Sequence, residues 1–140
     1  MSFIDAGVTR LGTYKTNVAT NAVTLLNNSN VYWKALWVFM FYASSATAGN
    51  RNIAVALIDN VPSPQAIFGS NFVHTASLGA GYNFFNGTSM DTIKNGLDIK
   101  VPIPENLIVP PGFSLTFYDY NNISISDTIS VYFEYEKINT

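Results

Sequence analysis

The stretch VYFEYE at residues 131–136 alternates between two kinds of side chain with a period of two. Its most apolar residues share one side of an extended chain, and Glu134 and Glu136 share the other. This pattern is typical of a β-strand with one face buried and the other in water. The same alternation recurs at residues 97–103 and 113–118, so three half-buried strands are predicted.

Turn signals between further apolar stretches define the rest of the fold. Strands are predicted at residues 22–26, 51–58 and 66–73, separated by segments rich in Asn, Gly and Pro. Pro102 and Pro104 remove backbone donors, so the strand over residues 97–103 is expected at a sheet edge. About eight short strands without a long helix predict an all-β fold, an antiparallel β-sandwich of jelly-roll type.

Residues 31–42 differ because both sides of this segment are apolar in its second half. Its aromatic and β-branched content favours a long central strand. Strict alternation assigns Trp33, Trp37 and Phe39 to the core, together with Phe133 of the last strand. The opposite face then needs a cover, which either a loop of the same chain or another subunit supplies.

The composition is that of one folded domain. The chain has 140 residues, of which 48% are hydrophobic and 11% charged, and a single domain over residues 1–140 is expected. Residues 1–19 alternate only weakly and are expected to form an extended N-terminal arm. A surface with few charges and many apolar groups favours association.

Charge and segment lengths exclude several partners. The formal net charge is −2 and the chain contains no basic run, so no nucleic-acid partner is expected. The longest apolar run, residues 35–43, is too short for a membrane-spanning helix, so no membrane partner is expected. The first residues lack the basic start and apolar stretch of a signal peptide, so synthesis in the cytoplasm is expected.

Residues able to carry out chemistry are scarce. His74 is the single histidine and there is no cysteine, so a zinc site is unsupported, and His74 is expected to bond a backbone group near a strand end. Asp119 and Asp127 are candidates for a glycosidase pair or for calcium ligands, although Asp119 more simply caps a turn. We therefore predict no catalytic, cofactor-binding or metal-binding residue and no enzymatic activity; calcium near Asp119 and Asp127 stays open.

Candidate contact residues come from two segments. A Gly- and Asn-rich stretch, expected to be a loop, carries aromatic side chains that are costly to expose unless they bind something. The N-terminal arm carries further apolar residues. The interface candidates are Ser2, Phe3, Ile4, Val8, Leu11, Tyr14, Tyr82, Phe84 and Phe85. Other tyrosines, on the polar sides of strands, either bind a partner or fold back over the core: Tyr32, Tyr118, Tyr120 and Tyr132.

The sequence LIVPPGFSLTFYD at residues 107–119 resembles small structural proteins of tailed bacteriophages. The likeness continues through ISISD at residues 123–127 into the final strand, and DAGV at residues 5–8 is similar to the opening of those proteins. The resemblance implies a jelly-roll domain, forming a homotrimer, that decorates or cements the outer capsid surface. The major capsid protein is then the partner and the virion the location.

Two other functions remain as alternatives. A tail or fibre module of the virion would recognise a host glycan through loop aromatics, and it predicts exposed Tyr or Trp residues around a polar groove. A carbohydrate-active enzyme would need paired carboxylates in a cleft. A cement protein predicts flat apolar patches instead.

Overall fold

The computed structural model of the chain describes residues 8–9, 17–19, 22–86, 94–95 and 98–138. These residues form twelve strands in two sheets and no helix. The larger sheet contains β1 (Val8–Thr9), β2 (Asn17–Ala19), β4 (Tyr32–Ala43), β7 (Gly79–Asn86), β8 (Lys94–Asn95), β9 (Asp98–Ile103), β10 (Ile108–Val109) and β12 (Thr128–Ile138). The smaller sheet contains β3 (Ala22–Leu26), β5 (Ile53–Ile58), β6 (Pro64–Gly69) and β11 (Ser114–Asp119).

The strand order defines a β-sandwich. The larger sheet has the order β1-β12-β4-β7-β9-β8, with β2 also on β12 and β10 also on β4; the smaller sheet has the order β3-β11-β5-β6. All pairs are antiparallel except β7 with β9. The predicted all-β class and sandwich architecture are confirmed. Because a jelly roll is built from antiparallel strands, the parallel β7–β9 pair means that this order does not establish jelly-roll connectivity.

The core lies between the two sheets and follows the predicted alternation. Strand β12 buries every second residue from Ile129 to Tyr135, and β11 buries Leu115 and Phe117 opposite them. Burying such apolar area is the main favourable term in folding. Strands β9, β11 and β12 confirm the three alternating stretches. Strand β8 pairs only with the start of β9, so residues 100–103 have a single neighbouring strand within the described chain, as expected for a proline-containing edge.

A β-bulge in β4 corrects the predicted core. Glu134 lies opposite Trp37 and Tyr135 opposite Ala35, so Leu36 is an extra, unpaired residue. One extra residue reverses the side to which later side chains point. Trp33 therefore packs against the core as predicted, and Phe133 is buried. Trp37 and Phe39 were wrongly assigned to the core, because beyond the bulge they point outward.

The turn before β11 explains the motif that carried the phage resemblance. Gly112 has a φ of 84°, in the left-handed region that favours glycine, and its N–H donates to the Asn27 carbonyl over 2.8 Å. The buried Asn27 amide in turn donates to the carbonyls of Val109 (2.8 Å) and Val31 (2.9 Å). The PPGF segment is therefore tied to the turn between β3 and β4, which gives it a local structural role.

Within the N-terminal segment, the described strands β1 and β2 pair with β12 along the edge opposite β4. The rest of the expected arm lies outside the described residues. In the described part of the chain, no helix has the length and apolar character needed to cross a membrane.

Candidate functional site

A buried ion pair joins two loops at one end of the sandwich. Arg51 precedes β5 and Asp127 precedes β12, and both side chains are fully buried. The Arg51 Nε donates to Asp127 Oδ2 over 2.9 Å, and Nη2 donates to Oδ1 over 3.0 Å. This two-point geometry is the strongest form of the arginine–carboxylate contact.

Further partners complete what we call the Arg51 hub: Arg51, Asp127, Tyr42 and Ser45. Arg51 Nη1 donates to the carbonyls of Thr47 (2.8 Å) and Gly49 (2.7 Å), and Nη2 reaches Ser45 Oγ at 3.3 Å. Asp127 accepts from the Tyr42 hydroxyl and the Ser45 N–H, both over 2.7 Å. All five guanidinium N–H groups and both carboxylate oxygens are thus engaged.

These contacts fix the protonation of the Arg51 hub. Burial would raise the pKa of Asp127, but the hydrogen bonds from Arg51, Ser45 and Tyr42 outweigh burial and lower the pKa to about 2. Burial is the main cause that raises the pKa of the Tyr42 hydroxyl, and the hydrogen bond to Asp127 and its negative charge raise the pKa further. Asp127 is therefore ionised and Tyr42 neutral at pH 7. A general base or acid with a pKa near neutrality is not present in this group.

His74 lies beside the Arg51 hub, with its ring edge-on to Tyr42 at 5.1 Å between centroids. Its Nε2 is 2.8 Å from the Leu78 carbonyl and its Nδ1 is 2.7 Å from the Tyr82 hydroxyl. A carbonyl only accepts, so Nε2 carries the proton and Tyr82 donates to Nδ1. Burial lowers the pKa of His74, which favours the neutral ring. The expectation that His74 bonds a backbone group is confirmed.

The two aspartates singled out from the sequence are surrounded by donors. Asp119 accepts backbone N–H groups of Asn52 (2.8 Å), Asn121 (3.0 Å) and Ile123 (2.9 Å), which confirms its turn-capping role. Asp119 and Asp127 are both buried, and the oxygens that a calcium ion or a sugar would need accept hydrogen bonds from N–H groups and, for Asp127, from the Tyr42 hydroxyl as well. Among the described residues, no group of three or more potential metal ligands comes together.

The buried polar residues at this end of the sandwich therefore have a structural role. Arg51, Asp127 and His74 connect the loops over residues 44–52, 70–78 and 120–127, partly through the Arg51 N–H, which donates to the His74 carbonyl over 2.8 Å. A buried pair is stable only when its remaining hydrogen-bonding groups are satisfied, as they are here. The network fixes the three loops relative to one another.

A different surface lies on the outer side of the larger sheet. We call it the aromatic face: Trp37, Phe39 and Phe41 of β4 and Tyr132 of β12, which is paired with Phe39. The Trp37 ring centroid is 5.1 Å from that of Tyr132 and 6.3 Å from that of Phe39. Trp37 is 38% exposed and Phe41 is 41% exposed. Large aromatic residues grouped on a surface are typical anchors of protein interfaces.

Polar contacts hold Trp37 in one orientation. Its indole Nε1 donates to Asn83 Oδ1 over 3.0 Å, and Asn83 Nδ2 donates to Asp98 Oδ1 over 2.6 Å. These hydrogen bonds run from β4 through β7 to β9. Trp37 is therefore an exposed side chain whose indole is already oriented by a hydrogen bond, and such a side chain loses less conformational entropy on binding than a mobile one.

Glycines and charges shape the surroundings of the aromatic face. A Cβ at Gly79 would lie 2.9 Å from Phe41 Cζ, so the glycine allows the Phe41 ring to lie close against β7. Charged side chains lie on the same outer side of the sheet, with Glu134 of β12 opposite Trp37, and with Asp98 and Lys100 on β9, which is separated from β4 by β7. An apolar centre with a charged rim is the usual anatomy of a protein–protein interface.

The interface candidates chosen from the sequence do not form this surface. Tyr82 and Phe84 were expected in a loop, but they lie in β7 and are fully buried, so that prediction is wrong and neither is available to a partner. The Asn- and Gly-containing stretch forms a central strand because alternate residues face the core. The candidates Ser2, Phe3, Ile4, Leu11 and Tyr14 lie outside the described residues; for Val8 and Phe85 the backbone alone is described.

Arg51 and the aromatic face are not among the sites that the sequence predicts. Arg51 is one of only seven basic residues and directly precedes an apolar strand, which was the available signal for burial. Its partner is 76 positions away, so no local spacing indicates the pair. The aromatic face was partly visible as the second apolar side of residues 31–42.

The fold and these sites define a β-sandwich with a buried structural ion pair at one end and an exposed aromatic face on its larger sheet. The chain matches no protein-family model and no curated protein sequence.

Proposed function

We propose that this chain is a structural module that acts by binding another protein through its aromatic face. The observation that carries this proposal is Trp37, an exposed indole held in place by Asn83 and Asp98 on a charge-rimmed apolar surface. Hot-spot residues of interfaces are enriched in tryptophan and tyrosine and surrounded by a polar rim. The saturated hydrogen bonding of Arg51, Asp127 and Asp119 further supports a binding role over a catalytic one.

We further propose that the assembly is the capsid of a tailed phage and that the partner is its major capsid protein. The support for this step is the resemblance of residues 107–119 to phage structural proteins, together with the exposed aromatic side chains of the aromatic face, since a cement protein needs an apolar patch. Such a module stabilises a shell because it binds the assembled lattice alone. Several weak contacts per oligomer act together through high effective concentration.

The test is cosedimentation with undecorated shells of the major capsid protein encoded in the same genome. We expect saturable binding by the wild-type chain and at least tenfold weaker binding by Trp37→Ser. Val61→Ser, at an exposed loop position away from the aromatic face, is the matched control and should bind like the wild type.

Two outcomes would contradict the proposal. Equal binding by the wild type and Trp37→Ser would remove the aromatic face from the capsid contact. Absence of shell binding, combined with selective retention on a glycan array, would favour the tail or fibre alternative over capsid decoration.

A further inference from the structure

His74 is a buried titratable side chain in the middle of the loop over residues 70–78, beside the Arg51 hub but not part of it. The residue is 0% exposed, and its ring stacks on that of Tyr82 at 5.9 Å between centroids. Both ring nitrogens are used, Nε2 by the Leu78 carbonyl and Nδ1 by the Tyr82 hydroxyl. A neutral imidazole has one donor and one acceptor, so only the neutral ring fits these two partners.

A second proton on the ring breaks this arrangement. A protonated Nδ1 no longer accepts the Tyr82 hydroxyl, which within the described structure contacts His74 alone. The Tyr82 oxygen can turn to accept the new N–H, but its own hydrogen is then buried without an acceptor. Leaving a buried donor unpaired is costly, so the protonated ring is disfavoured in the closed loop.

The charges around His74 do not compensate for that cost. The titratable and charged side chains that face the ring from other segments are Tyr42 of β4, Arg51 before β5, Tyr82 of β7, Asp119 of β11 and Asp127 before β12. Burial is the largest cause that lowers the pKa of His74, and the positive charge of Arg51 lowers it further. The Leu78 carbonyl and the two aspartates act in the opposite direction without outweighing burial. Both carboxylates already accept hydrogen bonds from other groups, and within the described structure neither pairs with the ring.

The loop that carries His74 also contains a strained residue. Ser77 has a φ of 53°, in the left-handed region that residues with a side chain rarely adopt. Its N–H donates to the Ser45 carbonyl over 2.9 Å, and the Leu78 N–H donates to Ser44 Oγ over 2.9 Å. A strained conformation persists only where its surroundings impose it, so losing the His74 contacts favours an open loop.

We propose that His74 is a pH-sensitive switch: a second proton on its ring opens the loop over residues 70–78, while the Arg51–Asp127 pair keeps the neighbouring loops closed. Because the pKa of His74 is lowered from 6.5 in the closed loop, the open loop binds more protons at acid pH. The closed loop therefore keeps its stability above pH 6.5 and loses it as the pH falls below that value. Over most of this range Asp127 stays ionised, because its pKa is about 2.

Opening changes the apolar surface at this end of the sandwich. Phe72 lies in the same loop and packs against the core, and its neighbour Val73 is already 53% exposed. When the loop opens, both side chains face water. Acid therefore enlarges the apolar surface at this end, and enlarged apolar surfaces favour association.

The test is amide hydrogen exchange of the wild-type chain, followed by NMR from about pH 7.5 to about pH 4.5. After division by each intrinsic rate, exchange at Ser77 and Leu78 should rise about tenfold per pH unit below 6.5, because opening takes up one proton. The Ser45 N–H, which donates to Asp127, should keep a constant corrected rate. The imidazole signal of His74, the single histidine, should titrate below pH 6.5 in the same samples.

Two variants connect the effect to the ring. His74→Gln keeps a donor for the Leu78 carbonyl and an acceptor for the Tyr82 hydroxyl but does not titrate, so its corrected exchange should not depend on pH. Tyr82→Phe removes the hydroxyl that favours the neutral ring, so the titration of His74 and the onset of opening should both move to higher pH. Tyr82→Phe keeps the buried ring and therefore tests the inference even where His74→Gln disturbs the loop.

Four results would overturn the inference. In the wild type, these are corrected exchange at Ser77 and Leu78 that does not depend on pH, or an equal rise at Ser45, which would mean that the loop does not open by itself. In the variants, they are a rise in His74→Gln equal to that of the wild type, or an unchanged titration of His74 in Tyr82→Phe. None of these outcomes depends on the capsid proposal, because shell binding is measured separately.

Discussion

Phe41 and Tyr42 are neighbours on strand β4, but they belong to two regions with opposite properties. Tyr42 points inward and donates to Asp127 in the Arg51 hub, where every polar group has a partner. Phe41 points outward on the aromatic face, where large rings remain in water. The comparison indicates that buried polar residues fix the loops of this domain, whereas exposed apolar residues form the surface that we propose binds a partner.

The largest expected effect is a loss of stability on substitution of Arg51, with shell binding by the folded chain retained. Arg51→Met leaves Asp127 buried without its counter-charge, so we expect a loss of about 3–5 kcal/mol in the free energy of unfolding. Urea denaturation measures the loss, and Glu105→Ala, at an exposed position, is the control expected to change stability by less than about 0.5 kcal/mol. The folded fraction should still bind shells. A loss below about 1 kcal/mol for Arg51→Met would mean that the Arg51 hub does not stabilise the fold.

Acid should reduce the stability that the Arg51 hub gives to the fold. The pKa of Asp127 falls from 3.8 in the unfolded chain to about 2 in the folded one, so the carboxylate stabilises the fold above pH 4. That contribution, about 2 kcal/mol, is lost as the pH falls from about 4 through 2. Carbon-detected NMR of the Asp127 carboxyl group, run beside unfolding curves at each pH, measures both quantities. A titration midpoint at or above 3.8 would contradict the lowered pKa of Asp127 and the stabilisation that follows from it.

Two strand glycines provide a matched comparison of the outer faces. Gly79→Ala forces the Phe41 ring to move and should cost about 1 kcal/mol of unfolding free energy. Gly69→Ala meets only the Ala54 Cβ at 4.0 Å and should be neutral or stabilise by about 0.5 kcal/mol, because alanine loses less backbone entropy. Thermal or urea unfolding of both variants measures the sign of each change in unfolding free energy. Equal losses at both positions would argue against the described packing of Phe41.

The smallest expected effect concerns the orientation of Trp37. Asn83→Ala removes the acceptor of the indole N–H at a partly exposed site, which should change stability by only about 0.5 kcal/mol. The Trp37 ring should become more mobile, and ¹⁹F NMR of the fluorotryptophan-labelled chain resolves this because only Trp33 and Trp37 contribute signals. Trp33 serves as the internal reference. An unchanged Trp37 line would show that Asn83 does not hold the ring.

The sequence predicted the fold class well because alternation is a local property. Residues 97–103, 113–118 and 131–136 each show a period of two, and each corresponds to a strand. Alternation also predicted one buried side of residues 31–42, but it could not locate the bulge at Leu36, which arises from pairing with β12. Every residue beyond the bulge was therefore assigned to the wrong side, including Trp37.

The sites were harder to predict because they depend on distant residues. The capping role of Asp119 and the backbone bond of His74 follow from nearby turns and were expected. The Arg51–Asp127 pair depends on packing between two loops far apart in the chain. The glycines that flank Tyr82 resemble a turn and therefore predict a loop, whereas in the structure they lie on the outer side of a strand beneath Phe41.

We propose that the aromatic face binds the shell and that the Arg51 hub only stabilises the loops. The most direct test of this proposal is hydroxyl-radical footprinting of the chain, free and bound to shells. We predict that oxidation of Trp37 and Phe41 falls severalfold on binding, while Val73 and Ile125, exposed residues of the loop end that the Arg51 hub fixes, react as before. Protection of Val73 and Ile125 with unchanged oxidation of Trp37 would contradict the proposal and place the contact at the loops.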